Sequence, residues 1–151
     1  MTFNAIRDLG LELLQIRAHN ESVKQGTGED KPLIFAEAAL VMMTLERFLR
    51  TLPGVNATDG HKLLNLLNSA VGKGLLTIPG GDVEGTIKLI NRIRNATLHG
   101  NFEQSARDCE MTVQAYLTHV FPKEVLVLNR IMNNLLNQIE PETGQPKKKP
   151  T

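Results

Sequence analysis

Between Pro32 and Leu52 the chain carries two adjacent apolar stripes at helical spacing, and this segment limits the fold more than any other. One stripe is Ile34, Ala38, Val41, Leu45, Phe48 and Leu52; the other is Phe35, Ala39, Met42 and Leu49, with Glu46 set among them. Steps of three and four residues keep side chains on one helix face, whereas a half-buried strand needs strict alternation. A helix apolar over so wide an arc has neighbours on several sides, so this one is expected at the centre of a bundle. Pro32 suits its first turn, and Pro53-Gly54 ends it.

The flanking segments repeat the pattern. Ile6, Leu9, Leu13, Ile16 and Val23 give a first helix interrupted by Asn20, closed by the polar break from Gln25 to Asp30. Thr58 or Asp59 can cap a third helix through Leu63, Leu66, Leu67, Ala70 and Val71, fading near Gly72 and Gly74. Pro79-Gly80-Gly81 reads as a turn and Asp82 as the cap of a fourth helix through Val83, Ile87, Ile90 and Arg94. A fifth presents Ala106, Cys109, Val113, Tyr116 and Val120 on one face. Pro122 breaks or kinks it, or opens a sixth helix carrying Val125, Leu128, Met132, Leu135 and Ile139. The expected fold is all-α: an antiparallel up-and-down bundle of five to six helices in one domain, residues 1–140. Residues 141–151, with their prolines and three lysines, are expected to form a disordered tail.

Composition narrows the function. A net charge of +1 excludes a general polyanion binder, so nucleic-acid contact requires a local patch. The single cysteine, Cys109, excludes an internal disulfide and points to a reducing compartment; on a core stripe it reads as a small buried hydrophobe. Arg7 and Asp8 precede any long apolar run, which excludes a secretory signal, and no uncharged apolar stretch reaches the ~18 residues of a membrane span. A cytoplasmic location without membrane contact is therefore expected. No His-Glu-x-x-His, cysteine pair or acidic cluster of metal-ligand type occurs, so no metal or cofactor is expected. His19, His61 and His119 read as exposed helix-end residues, and Lys147-Lys148-Lys149 as a solvated run.

Arg94-Asn95-Ala96-Thr97-Leu98-His99 is the segment that carries chemistry. It sets a fixed cation, a carboxamide and an imidazole at a helix end, with Gly100 as the stop signal. A guanidinium holds phosphoryl oxygens in a planar fork, and an imidazole moves protons near neutral pH. Five helical steps turn His99 about 140° from Arg94, while Arg92, seven steps away, is nearly co-facial with it. Arg94 falls in register with Val83, Ile87 and Ile90, pointing toward the bundle or an interface. An inward guanidinium needs a partner, and Glu46 is the expected one. In that arrangement the motif is structural, within a non-catalytic helical interaction or ligand-binding module.

The Arg94-Asn95-x-x-x-His99 sequence closing a helix of an all-helical bundle, followed by Gly100-Asn101-Phe102-Glu103, resembles the HEPN (higher eukaryote and prokaryote nucleotide-binding) superfamily. Its signature is Arg, four to six residues, then His, with a polar residue after the Arg; Arg94 fits better than Arg92, which Ile93 follows. The resemblance covers roughly residues 30–139. It implies a metal-independent endoribonuclease or RNA-binding protein of toxin or defence type. His99 would act as base or acid, Arg94 would hold the phosphoryl group, and Asn95 would orient either. The 2′-hydroxyl of RNA would be the nucleophile, leaving a 2′,3′-cyclic phosphate. It also implies a homodimer whose two motifs share one cleft, and an antitoxin or nucleotidyltransferase partner.

Overall fold

The computed structural model describes residues 2–25, 33–55, 63–140 and 143–147. Helix α1 spans Thr2–Gln25, α2 Ile34–Thr51, α3 Leu63–Gly72, α4 Val83–His99 and α5 Glu103–Asp108; α6, Val113–Ala115, runs through a π-helical turn, Tyr116–Val120, into α7, Phe121–Asn137. Among the described residues the only extended pairing is an isolated bridge between Ile139 and Pro146. The protein is all-α. The polar break near residue 26, the Thr58 or Asp59 cap, His61, Lys148 and Lys149 lie outside the described residues.

Helix α2 is central, as its double stripe requires. It contacts α1, α3, α4 and α7, and Ala38, Val41, Leu45 and Leu49 are wholly buried. Burying such side chains contributes roughly 1.5–3 kcal/mol for each large aliphatic one. At its first turn the second stripe is less covered: Phe35 is 41% exposed, although its ring lies 5.5 Å from that of Phe102 and 5.1 Å from that of Phe121.

Asn20, an apparent interruption in α1, is an anchor. It is 5% exposed; its Oδ1 accepts from the Leu33 N–H at 2.6 Å and its Nδ2 donates to the Leu33 carbonyl at 3.3 Å. A buried carboxamide thus satisfies both backbone groups of the residue that opens α2. This contact sets α1 antiparallel to α2.

Two contacts fix α4 against α7. Phe102, just past α4, meets Phe35, which stacks on Phe121 at the start of α7. Thr77, ahead of α4, exchanges hydrogen bonds with Gln138 just past α7, N–H to Oε1 at 2.9 Å and Nε2 to carbonyl at 2.8 Å. The end of α4 meets the start of α7 and the reverse, so the two are antiparallel.

The fifth helix is shorter than its apolar pattern suggests. Glu110 adopts φ 55°, and two bonds, Glu110 N–H to the Arg107 carbonyl and Met111 N–H to the Ala106 carbonyl, close a Schellman turn that normally uses glycine. The stripe therefore breaks after Ala106, and Cys109 is exposed, not a buried hydrophobe. A new helix starts at Thr112, whose hydroxyl accepts from the Ala115 N–H at 3.1 Å.

Pro122 falls in the first turn of α7, as a proline that opens a helix does, yet the backbone enters that helix from α6 without a break. A proline ring clashes with the carbonyl four residues back, here Thr118, and offers it no N–H. The π-helical turn widens the backbone where that bond would fall, and Phe121 donates to the Tyr116 carbonyl. Helix continues through the proline. Within the segment expected as a tail, residues 143–147 turn back: Lys147 N–H bonds the Gln138 carbonyl and Glu140 N–H that of Gln145, both at 2.8 Å.

Candidate functional site at the end of helix α4

Asp82 begins α4 as its sequence position demands. Its Oδ1 accepts from the Gly85 N–H at 2.8 Å, and a Cβ at Gly85 would run into that carboxylate. The buried face of α4 then consists of Thr86, Leu89, Ile90, Ile93 and Ala96. At the other end Gly100 takes the left-handed conformation, φ 60°, and its N–H and that of Asn101 both reach the Asn95 carbonyl. Helix persists to His99, so Arg94 and His99 stand about 140° apart around the axis and about 7.5 Å apart along it.

Arg94 is half-buried, on the flank with Val83 and Ile87, as is Asn95 beyond it. The expected Arg94–Glu46 ion pair is not formed. Glu46 instead binds Arg50 one turn along α2, Oε1 to Nη2 at 2.9 Å, and lines a cleft between α1 and α2 with Asp8, Glu12 and Arg47. An i,i+4 partner on the same helix is always within reach, whereas Arg94 would have to cross to another helix. Among the described residues Arg94 has no ion-pair partner. The Thr97 hydroxyl, between Arg94 and His99, is buried and likewise without a hydrogen bond there. Of His99 the backbone is described; its side chain lies outside the described residues.

The cation that is engaged is Arg92. Its Nε and Nη2 donate to Glu124 Oε2 on α7 at 2.9 and 2.6 Å. Glu124 Oε1 accepts from the Tyr116 hydroxyl at 2.9 Å, and Ser105 also hydrogen-bonds that hydroxyl. The Glu124 bond raises the Arg92 guanidinium further above its ordinary range, against the opposing effect of burial. Burial, then the Glu124 bond and charge, push the Tyr116 phenol well above its ordinary value.

Tyr116 and Glu124 meet because of the π-helical turn. Eight steps along an unbroken α-helix rotate about 800°, leaving two side chains about 80° apart. One extra residue in a turn absorbs about 100° of that rotation, which brings the pair to within about 20°. Sequence reasoning missed this cluster: Tyr116 read as one member of an apolar stripe, and Glu124 was not singled out. The available signal was the tyrosine itself, whose hydroxyl needs a partner when its ring is buried.

No group of three or more His, Cys, Asp or Glu placed to hold a metal occurs among the described residues. No described helix is long and apolar enough to cross a membrane. Comparisons with family models, with curated proteins and with solved structures find no match to this chain.

Proposed function

We propose that this chain is a HEPN-like protein that binds RNA and cleaves it without a metal, through Arg94, Asn95 and His99. The observation that carries this reading is Arg94 itself. It is a half-buried guanidinium, five residues before a helix-terminal histidine, with no ion-pair partner among the described residues. The rival reading, a structural motif in a non-catalytic module, drew its best support from an Arg94–Glu46 pair, and Glu46 is committed to Arg50. An arginine without a protein anion is available to a phosphate.

The chemistry asks for few parts. RNA brings its own nucleophile, so His99 need only take the 2′-hydroxyl proton or protonate the leaving 5′-oxygen while Arg94 balances charge on the phosphoryl oxygens. The products are a 2′,3′-cyclic phosphate and a 5′-hydroxyl. Because Arg94 and His99 diverge around α4, one copy does not turn both toward the same point without help. A two-fold dimer pairing the ends of α4 would bring the Arg94 of one protomer beside the His99 of its partner and double the local positive charge.

The test is incubation of purified protein with mixed RNA in EDTA. Cleavage leaving cyclic phosphate ends, abolished by His99→Ala and by Arg94→Ala, is the expected result. Cleavage that survives His99→Ala, or that appears only with added Mg²⁺, overturns the mechanism. RNA binding without cleavage reduces the protein to the binding module. Sedimentation equilibrium in the same samples should give a dimer, alone or with RNA; a monomer under both conditions removes the composite site.

A further inference from the structure

The antiparallel packing of α4 on α7 leaves a groove of about 640 Å³ along their outer seam, within the size range of small-molecule sites. Its floor is apolar: Leu89, Val127 and Ile131 line it, and Val127 is 43% exposed there. One end carries cations, Arg92 and Lys123, with His119 beside them at the wall. The far end holds Asp82, ten residues and so about 15 Å from Arg92 along α4.

Three features give this groove a direction. Arg92 uses Nε and Nη2 on Glu124, while its Nη1 makes no hydrogen bond among the described residues. The guanidinium is thus held in place with one amino group spare. Glu124 lines the groove too and its charge offsets that of Arg92, so the net positive charge at this end is that of Lys123. Lys123, exposed at the first turn of α7, adds a second cation beside it. At the opposite end the Asp82 carboxylate repels a second negative group.

We propose that the α4–α7 groove binds a small amphiphilic anion. Its phosphate or carboxylate head lies against Arg92 and Lys123, and its apolar body lies on Leu89, Val127 and Ile131. The charge pattern admits one head per ligand, at one end, and a body short enough to stop before Asp82. The groove is distinct from Arg94, which stands on the opposite flank of α4 from Arg92, and the His99 position lies about 10 Å further along the axis from Arg92.

The test is a two-dimensional amide NMR titration of the full chain with hexyl phosphate, hexanoate and hexanol. Saturable shifts confined to residues lining the groove are expected with at least one of the two anions, with hexanol weaker by about tenfold or more. Preference for hexyl phosphate identifies a phosphate ester as the natural ligand class, and preference for hexanoate a carboxylic acid. Lys123→Glu, on an exposed side chain that leaves the fold intact, should weaken anion binding by about tenfold. Equal affinity for hexanol, shifts scattered over the surface, or an affinity unchanged in Lys123→Glu would each overturn the proposal.

Discussion

Arg92 and Glu124, 32 residues apart, are joined by two hydrogen bonds to a single carboxylate oxygen, with side-chain exposures of 35% and 11%. The pair ties the last turns of α4 to the first turn of α7 and, through Tyr116, to the π-helical turn. Removing one partner of a fully buried pair costs about 3–5 kcal/mol. Because Arg92 is a third exposed, the expected loss for Arg92→Ala is smaller, about 2–3 kcal/mol. Thermal unfolding should drop by roughly 4–12 °C for a chain of this size. A drop under about 1 °C would show the pair to be structurally idle.

Tyr116 makes the alkaline limb of stability measurable. An unfolded phenol titrates near about pH 10, and the folded one is held protonated to higher pH by burial and by Glu124. Above pH ~10 the unfolded chain therefore releases a proton that the folded chain retains, so stability falls as pH rises toward the folded value. The contribution is present in full below the unfolded value. Tyr116 is the only tyrosine and there is no tryptophan, so phenolate absorbance reports this group alone. It should appear together with loss of far-ultraviolet helix signal. Phenolate forming near pH ~10 in a chain that remains helical would contradict the buried hydrogen bond.

Glu110 offers a local gain. It holds a left-handed conformation, φ 55°, which costs a side-chain-bearing residue roughly 1–2 kcal/mol relative to a helical one. Glycine reaches the same turn without the Cβ clash. Glu110→Gly should therefore stabilise by about 0.5–1 kcal/mol in denaturant unfolding with the slope unchanged. A destabilised variant would mean that the glutamate side chain holds the turn by a contact of its own.

Local rules were readable in the chain and lateral ones were not. The Asp82 cap follows from a side chain three residues from the N–H it serves, and α2 announced its central position by the width of its apolar arc. Glu46 shows where such reading fails. Its place among apolar residues suggested a long-range partner, yet Arg50 one turn away satisfies it first. Lys88 and Glu84, one and two turns before Arg92, give its helix face a polar character in the sequence, and nothing there points to an acid on another helix. That face borders α7, and only the packing of helices 32 residues apart reveals the acid waiting there. Cys109 and Val113 share a helical register on paper, but Glu110 breaks the helix between them.

Arg92 and Arg94 now make opposite predictions, and the contrast tests the proposed ribonuclease directly. Arg92 is committed to Glu124, so Arg92→Ala should lower the unfolding temperature; RNA cleavage per folded molecule should fall much less than the unfolding temperature suggests. Arg94 has no ion pair among the described residues, so Arg94→Ala should leave unfolding within about 0.5 kcal/mol of the parent, as for other half-exposed sites. Its effect should fall on the reaction instead, because charge on the phosphoryl oxygens grows at the transition state and the guanidinium offsets it there. Loss of one such donor lowers the rate by roughly 100–1,000-fold. Arg94→Lys should recover only part of that, since a point charge replaces the planar two-point fork. If Arg94→Ala instead unfolds the protein while its folded fraction still cleaves RNA normally, the guanidinium is a structural element and the proposed phosphate site lies elsewhere.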